Sequence, residues 1–330
     1  MEMTEFQNKI ERALKEYGGK DSTVRLSAVR KNNGIQLTGV SLFKDGSNIT
    51  PTVYLDDYLE RYEEGESFGS IVGEIIALLE KSGKEQSFDL NAFTDWTRAR
   101  KRVAYKLVNA EMNREQLKEI PHLPFLDMAI VFYYLLGEEE MGNATILICN
   151  SHIRQWNVTA EELYACAHSN TRRLLPVTIQ NMEELMREVF LEDLGKKIRE
   201  EKAEDIPFGI GDSVDEMLKS AMDGREGIPM YVMTNKKRYF GAACLLYPGV
   251  LRVFAERLDS NLFVLPSSIH EVILLEDDGC THVDQLREMV RQVNETQVAA
   301  EEVLSDTVYY YERHRDELER AEIPEIAEAG

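Results

Sequence analysis

The sequence has few of the features that mark secreted, membrane-bound or disulfide-rich proteins. Its four cysteines lie far apart, and Cys149 and Cys244 sit in apolar runs, which is typical of a reducing compartment. No window approaches the roughly 18 apolar residues of a membrane span, and the N-terminus lacks the basic and apolar regions of a secretion signal. These absences predict a soluble, cytoplasmic protein that does not contact a membrane.

Basic residues are also scarce. The 330 residues contain 38 Lys and Arg against 59 Asp and Glu, a formal net charge of -21. Such a charge opposes nonspecific attraction to nucleic acid and to anionic lipid, so neither is an expected partner. A basic partner, or none, fits the charge better. The hydrophobic content of 43% allows a sizeable core, and the length suits two domains or one large domain.

Apolar patterns of helical and strand spacing alternate along the chain. Residues 4–17 have the spacing of an amphipathic helix, and the runs 24–29 and 35–43 flank Asn33-Gly34, a pair that predicts a tight hairpin. Apolar runs at 102–108, 126–136 and 144–149 predict a central antiparallel sheet. The fold class expected is α+β, with mixed, mainly antiparallel sheets packed with helices in two lobes.

Polar and glycine-containing stretches predict the domain boundaries. The C-terminal domain is expected to end in a last strand at 307–311, followed by a charged, solvated helix that frays. The predicted segments are 1–84 (helix, β-hairpin and helices), 85–198 (central sheet plus helices), 199–228 (charged linker), 229–312 (C-terminal α+β domain) and 313–330 (charged tail).

Five runs of the sequence carry a resemblance to known families. They are 49–57 (ITPTVYLDD), 125–134 (FLDMAIVFYY), 143–148 (NATILI), 156–164 (WNVTAEELY) and 265–273 (LPSSIHEVI). They resemble an uncharacterised bacterial family, a domain of unknown function common in gut anaerobic Gram-positives, over nearly the whole chain. The order of elements is more loosely similar to an unassigned family of bacilli. Neither resemblance implies an activity, a ligand or a catalytic residue.

Cys149-x-x-His152 and Cys166-x-His168 bring thiols and imidazoles close in sequence, as in zinc sites. Residues two apart on a helix diverge by about 200°, so Cys166 and His168 cannot readily face one ion. Cys149 belongs to an apolar strand. Cys149 and His152 are therefore weak metal candidates, and no metal or cofactor is expected.

Ser267-Ser268-Ile269-His270-Glu271 places hydroxyls, an imidazole and a carboxylate at a turn between two apolar strands. A hydrolase could use Ser267, His270 and Glu271, but adjacency in sequence does not bring a nucleophile, a base and an orienting group within hydrogen-bond reach. The alternative is a turn whose hydroxyls satisfy backbone donors.

Two surface patterns favour binding. A basic stretch with aromatic residues runs from Trp96 to Lys106 and includes Arg98, Arg100, Lys101, Arg102 and Tyr105. It could contact a phosphate or an acidic partner through Trp96 and Arg100, or pair with the protein's own carboxylates. Tyr309 and Tyr311 share one face of the predicted last strand and Tyr310 takes the other, so the tyrosines either bind a partner or close a sheet.

The sequence lacks the common catalytic motifs. The glycines at 209–211 and 224–227 lack the form of a nucleotide-binding loop, and no Gly-x-Ser-x-Gly elbow is present. The sequence therefore favours a non-catalytic, cytoplasmic binding, adaptor or regulatory protein of unknown partner. The alternatives are a hydrolase that uses the Ser267–His270 region and an acidic mimic of nucleic acid.

Overall fold

The structure, a computed structural model, combines helices with three mainly antiparallel sheets, which confirms the predicted α+β class. It describes residues 1–20, 22–44, 50–81, 90–136, 144–189, 191 and 229–322. Contacts between residues divide the chain into two compact units. The first contains Met1–Leu123 and Ile130–Asn170, and the second contains Pro124–Ala129 and Thr171–Gly330. The two-lobed arrangement and the boundaries drawn from the sequence stay predictions.

The N-terminal part of the first unit is an antiparallel sheet of order β1-β2-β3 covered by helices. The turn between β1 and β2 has positive φ at Asn33 (58°) and Gly34 (72°), so the predicted hairpin is confirmed. Phe6, Ile10 and Ile75 are buried between the helices and the sheet. The elements are α1 (Met3–Gly18), β1 (Ser22–Arg30), β2 (Gln36–Lys44), β3 (Val53–Tyr54), α2 (Asp56–Glu63) and α3 (Phe68–Lys81).

A second sheet has the order β4-β6-β5, with β7 paired to β6. β6 is buried along nearly its whole length, as its continuous apolar sequence predicts. The Trp156 indole N–H donates to the Phe93 carbonyl at 3.1 Å and fixes α7 against α4. The elements are α4 (Leu90–Thr94), α5 (Trp96–Ala99), β4 (Val103–Asn109), α6 (Arg114–Leu117), β5 (His122–Phe125), β6 (Met128–Leu135), β7 (Thr145–Leu147), α7 (Asn150–Trp156) and α8 (Ala160–Leu174).

The second unit contains a six-stranded sheet of order β13-β12-β10-β11-β9-β8, antiparallel at every pairing. α10 covers one face, where Leu286 and Val290 pack with Phe263 and Leu275. A helical stretch over 182–189 follows β8. The other elements are β8 (Val177–Asn181), β9 (Met230–Asn235), α9 (Val250–Leu258), β10 (Leu262–Leu265), β11 (Val272–Glu276), α10 (Val283–Thr296), β12 (Tyr309–Glu312) and β13 (Glu317–Arg320).

The predicted end of the chain is wrong in one respect. Residues 317–320 form a strand that pairs with β12, with Tyr310 opposite Glu319, where the sequence predicts a solvated helix. Glu, Leu and Arg favour helices in isolation, and pairing with the tyrosine strand outweighs that preference. The predicted charged linker at 199–228 lies outside the described residues. Across the described ranges, no helix combines the length and apolar character needed to cross a membrane.

Candidate functional site

A groove in the first unit lies between the α5 segment and one face of α8. Its volume of about 540 Å³ falls in the range of roughly 300–1,000 Å³ that is typical of small-molecule sites. Arg100, which the sequence predicts as a binding residue, lies on one wall. The lining side chains include cations, hydroxyls, an amide and a thiol: Thr97, Arg100, Lys101, Ala165, Cys166, Ser169 and Asn170.

Side-chain hydrogen bonds fix both walls of the groove. Asp95 caps α5 by accepting the Thr97 N–H at 2.9 Å and the Thr97 hydroxyl at 2.7 Å. The Asn170 amide N–H group donates to the carbonyls of Arg100 (2.7 Å) and Val103 (2.9 Å), and so ties the α5–β4 turn to α8. On α8, the lining residues form two adjacent pairs, 165–166 and 169–170, which are one helical turn apart and therefore share one face.

The groove is positively charged although the chain is strongly acidic. Residues 96–110 contain five Lys or Arg and no Asp or Glu, and residues 163–182 also contain no acid. Arg100 and Lys101 are exposed on the wall formed by the first stretch. Among the described residues, no carboxylate forms an ion pair with the Arg100 guanidinium. At this position the charge is therefore available to an anionic ligand.

Three other members of the basic stretch pack against the protein itself. Trp96 is half-buried, with its ring 5.3 Å from that of Trp156. The buried Tyr105 stacks on Tyr164 with ring centres 5.9 Å apart. Burial, with a smaller contribution from the charge of Lys31, lowers the pKa of Lys106 to about 8. Arg100 is therefore the predicted binding residue that reaches the groove, while Trp96 supports the helix beside it.

The two metal candidates contact each other as a helix cap. The Cys149 N–H donates to His152 Nδ1 at 3.0 Å at the start of α7, and the His152 ring lies 5.0 Å from that of Phe93. Burial lowers the pKa of His152 and raises that of the Cys149 thiol, so both neutral forms are favoured. Within the described ranges, no group of three or more His, Cys, Asp or Glu side chains is placed to hold a metal ion.

His270 is engaged on both ring nitrogens. The Phe240 N–H donates to Nδ1 at 3.2 Å, so a neutral His270 carries its proton on Nε2, which faces Glu302 Oε1 at 3.4 Å. The Ser268 hydroxyl accepts the His270 N–H at 3.0 Å. No hydrogen bond joins the Ser267 hydroxyl to His270 in the described part of the chain. A proton-accepting role toward Ser267 would require Nδ1 to give up the Phe240 amide.

The carboxylate beside His270 is held close to another acid. Burial raises the pKa of Glu271, the negative charge of Glu302 adds to this effect, and a hydrogen bond with Ser268 opposes it. Glu271 therefore ionises less readily than an ordinary glutamate. The structure brings Ser268, His270, Glu271 and Glu302 together, whereas adjacency in sequence pointed to Ser267 and gave no sign of Glu302 or Phe240.

The tyrosine run forms β12, an inner strand of the six-stranded sheet between β10 and β13. Tyr309 and Tyr311 are buried, whereas Tyr310 on the opposite face is half-buried. The Asp127 carboxylate accepts hydrogen bonds from Ser305 and Thr307, each at 2.9 Å, and from the Tyr309 hydroxyl. A binding role for Tyr309 and Tyr311 stays a prediction, but the ring that the sheet presents toward its surface is that of Tyr310.

Sequence reasoning did not single out Ser169, Asn170 or Cys166 as groove residues, although their signal is visible. The absence of acid from two stretches of so acidic a chain marks both walls. Chemically, two cations beside a hydroxyl and an amide can hold an anion, and no base–nucleophile pair is visible among the lining side chains.

Comparison with known proteins gives a family and no function. A family of unknown function, DUF5688, matches residues 3–313. The chain therefore belongs to this family, which confirms the resemblance to a domain of unknown function over nearly its whole length. No curated protein and no solved structure matches the chain. The taxonomic distribution expected from the sequence stays a prediction.

Proposed function

Starting from membership in a family whose function is unknown, we propose that this protein binds a small anionic ligand, bearing phosphate or carboxylate, in the groove between α5 and α8. The observation that carries the proposal is the exposed Arg100 guanidinium, without a carboxylate partner among the described residues, on the wall of a groove of about 540 Å³. In this proposal the groove binds the ligand without transforming it, as in a regulatory or adaptor protein.

The size of the ligand follows from the range of electrostatic forces. At physiological ionic strength charges are screened beyond about 8 Å, so a small anion in the groove interacts mainly with Arg100 and Lys101. A nucleic acid or a long acidic peptide would extend over the surrounding surface of a chain with net charge -21 and be repelled there. Local charge therefore favours a ligand of metabolite size.

The geometry around His270 gives less support to hydrolysis. A nucleophilic serine needs a free imidazole lone pair, and Nδ1 already accepts the Phe240 amide. Mimicry of nucleic acid by the acidic surface stays a prediction, as do the cytoplasmic location and a basic partner, or none.

Isothermal titration calorimetry with inorganic phosphate and with citrate tests the anion site. The double variant Arg100→Ala, Lys101→Ala should weaken binding of at least one of these anions about tenfold or more, equivalent to ~1.4 kcal/mol. The double variant Arg98→Ala, Arg102→Ala is the matched control, because it removes two exposed charges from the same stretch at residues that do not line the groove. It should change the affinity less than about twofold.

Circular dichroism of each variant shows whether the fold is intact. If the wild-type protein binds neither anion, or if the Arg98→Ala, Arg102→Ala control loses as much affinity as the Arg100→Ala, Lys101→Ala variant, the groove is not a specific anion site and the proposal is wrong.

A further inference from the structure

A second cavity, of about 340 Å³, lies in the second unit between the start of α10 and the β12–β13 edge of the sheet. Its inner part is apolar: Phe263 and Ala321 belong to the buried cluster beneath α10, and Val283 packs against that cluster. The size is within the small-molecule range of roughly 300–1,000 Å³. The cavity shares no residue with the basic groove.

Two aromatic rings form one wall of the cavity. Phe263 and Tyr310 are opposite each other in the β10–β12 pairing, with ring centres 5.3 Å apart at 60°. The Tyr310 hydroxyl is already engaged, since it donates to Asp277 at 2.6 Å and accepts from the Asn261 amide at 2.8 Å. Tyr310 therefore offers the cavity its ring rather than a hydrogen-bonding group.

Three carboxylates from separate places in the sequence line the same cavity: Asp284 in the first turn of α10, Glu319 opposite Tyr310 on β13, and Glu322 beyond that strand. Cations approach two of them loosely, with Arg287 at 3.9 Å from Asp284 and Arg315 at 4.0 Å from Glu319.

The positive groups at the cavity are fewer than its three carboxylates. Arg320 also lines the cavity, although strand alternation directs its side chain to the face opposite Glu319. The start of α10 contributes roughly +0.5 charge. Aromatic faces beside carboxylates are the surroundings in which proteins hold organic cations.

We propose that this cavity binds an alkylammonium group, supplied either by a lysine side chain of a peptide or by a free polyamine. The methylene chain packs on Phe263, Tyr310 and Val283, and the ammonium group lies among Asp284, Glu319 and Glu322. The net charge of -21 increases the local concentration of such cations around the molecule. This site is independent of the anion groove.

Titration calorimetry distinguishes the two sources of the ammonium group. The probes are 1,5-diaminopentane, a pentapeptide with one central lysine, and the same peptide with that lysine acetylated. Wild-type protein should bind the diamine, the lysine peptide or both, and the acetylated peptide should bind at least about tenfold more weakly than the unmodified one, because acetylation removes the charge. Binding of the peptide alone identifies a protein partner, and equal binding of the diamine shows that a free polyamine suffices.

The double variant Asp284→Asn, Glu319→Gln should lower the affinity about tenfold while keeping the shape of the side chains. The double variant Glu288→Gln, Glu317→Gln is the matched control, because it also removes one negative charge from α10 and one from β13, at exposed side chains outside the cavity. An equal loss of affinity in the cavity variant and in the control variant would show attraction to the acidic surface as a whole and would overturn the proposal. Absence of binding to the diamine and to the lysine peptide would overturn it as well.

Discussion

The basic groove and the acidic cavity are built in opposite ways. The groove takes its lining from two short stretches, 97–101 and 165–170, and both lack acid. The cavity takes its lining from residues around 263, 281–284, 310 and 319–322, which only the sheet and α10 bring together. The difference shows that a site with neighbouring residues is visible in the sequence, whereas a site assembled by strand pairing is not.

The largest expected effect is a loss of stability on substitution of Asp127, which supports the strand of the cavity and not the groove. This carboxylate accepts three hydroxyl donors next to β12, which lines the cavity and not the groove. Asp127→Ala leaves those donors without their acceptor, so we expect the free energy of unfolding to fall by about 2–4 kcal/mol. Urea denaturation followed by circular dichroism measures this loss.

Asp127→Asn is the conservative control, because the amide oxygen of asparagine still accepts a hydrogen bond. It should lower the free energy of unfolding by about half as much as Asp127→Ala. Diamine binding at the cavity should weaken in Asp127→Ala. An unfolding curve of this variant that overlays the wild-type curve would show that the Asp127 cluster does not stabilise β12.

A smaller effect is expected from Tyr310→Phe, which keeps the ring at the cavity and removes the hydroxyl. Loss of the bonds to Asp277 and Asn261 should lower the free energy of unfolding by about 1–2 kcal/mol. Diamine affinity should stay within about twofold of wild type, because the hydroxyl does not face the ligand. A large loss of affinity in Tyr310→Phe would place the hydroxyl in the site and contradict the arrangement described above.

The same variant has a distinct pH signature. Burial, followed by the hydrogen bond to Asp277, raises the pKa of Tyr310 to about 12. The folded chain therefore holds this proton more tightly than the unfolded chain, in which the tyrosine pKa is about 10. The stability contributed by the protonated hydroxyl is present below pH ~10 and is lost as the pH rises toward about 12. Denaturation curves across this window should fall less steeply with pH in Tyr310→Phe than in the wild type.

The smallest effect concerns salt. The net charge of -21 attracts an ammonium ligand and repels an anion, so screening removes an attraction at the cavity and a repulsion at the groove. Between about 0.01 and 0.1 M ionic strength we expect diamine affinity to fall severalfold and phosphate affinity to fall less. Calorimetry at both salt concentrations measures the two slopes, and a steeper loss for phosphate would contradict this account of the electrostatics.

Local signals account for what the sequence predicted. The Asn33-Gly34 pair predicts a hairpin turn because both residues readily adopt positive φ. The continuous apolar run of β6 predicts a strand that is buried on both faces. The cluster of basic residues around Arg100 predicts it as a binding residue. Nothing local pointed to Asn170 as the side chain that holds the Arg100 carbonyl, since the two are 70 residues apart.

Non-local pairing explains what the sequence did not predict. Glu317–Arg320 has the composition of a helix and becomes a strand because β12 offers it a partner. The sequence places His270 beside Ser267 and Glu271, yet its ring contacts Phe240 and Glu302, each about thirty residues away. Such contacts depend on the folded arrangement of strands, which local patterns do not encode.

The position of β13 also bears on self-association. In the described part of the chain β13 pairs only with β12, so its other edge presents backbone donors and acceptors to which a second sheet could add. Glu317, Glu319 and Arg320 are exposed along this strand. Charged side chains on an edge strand hinder stacking of one molecule on the next. The same four residues that complete the sheet therefore also limit its growth into polymers.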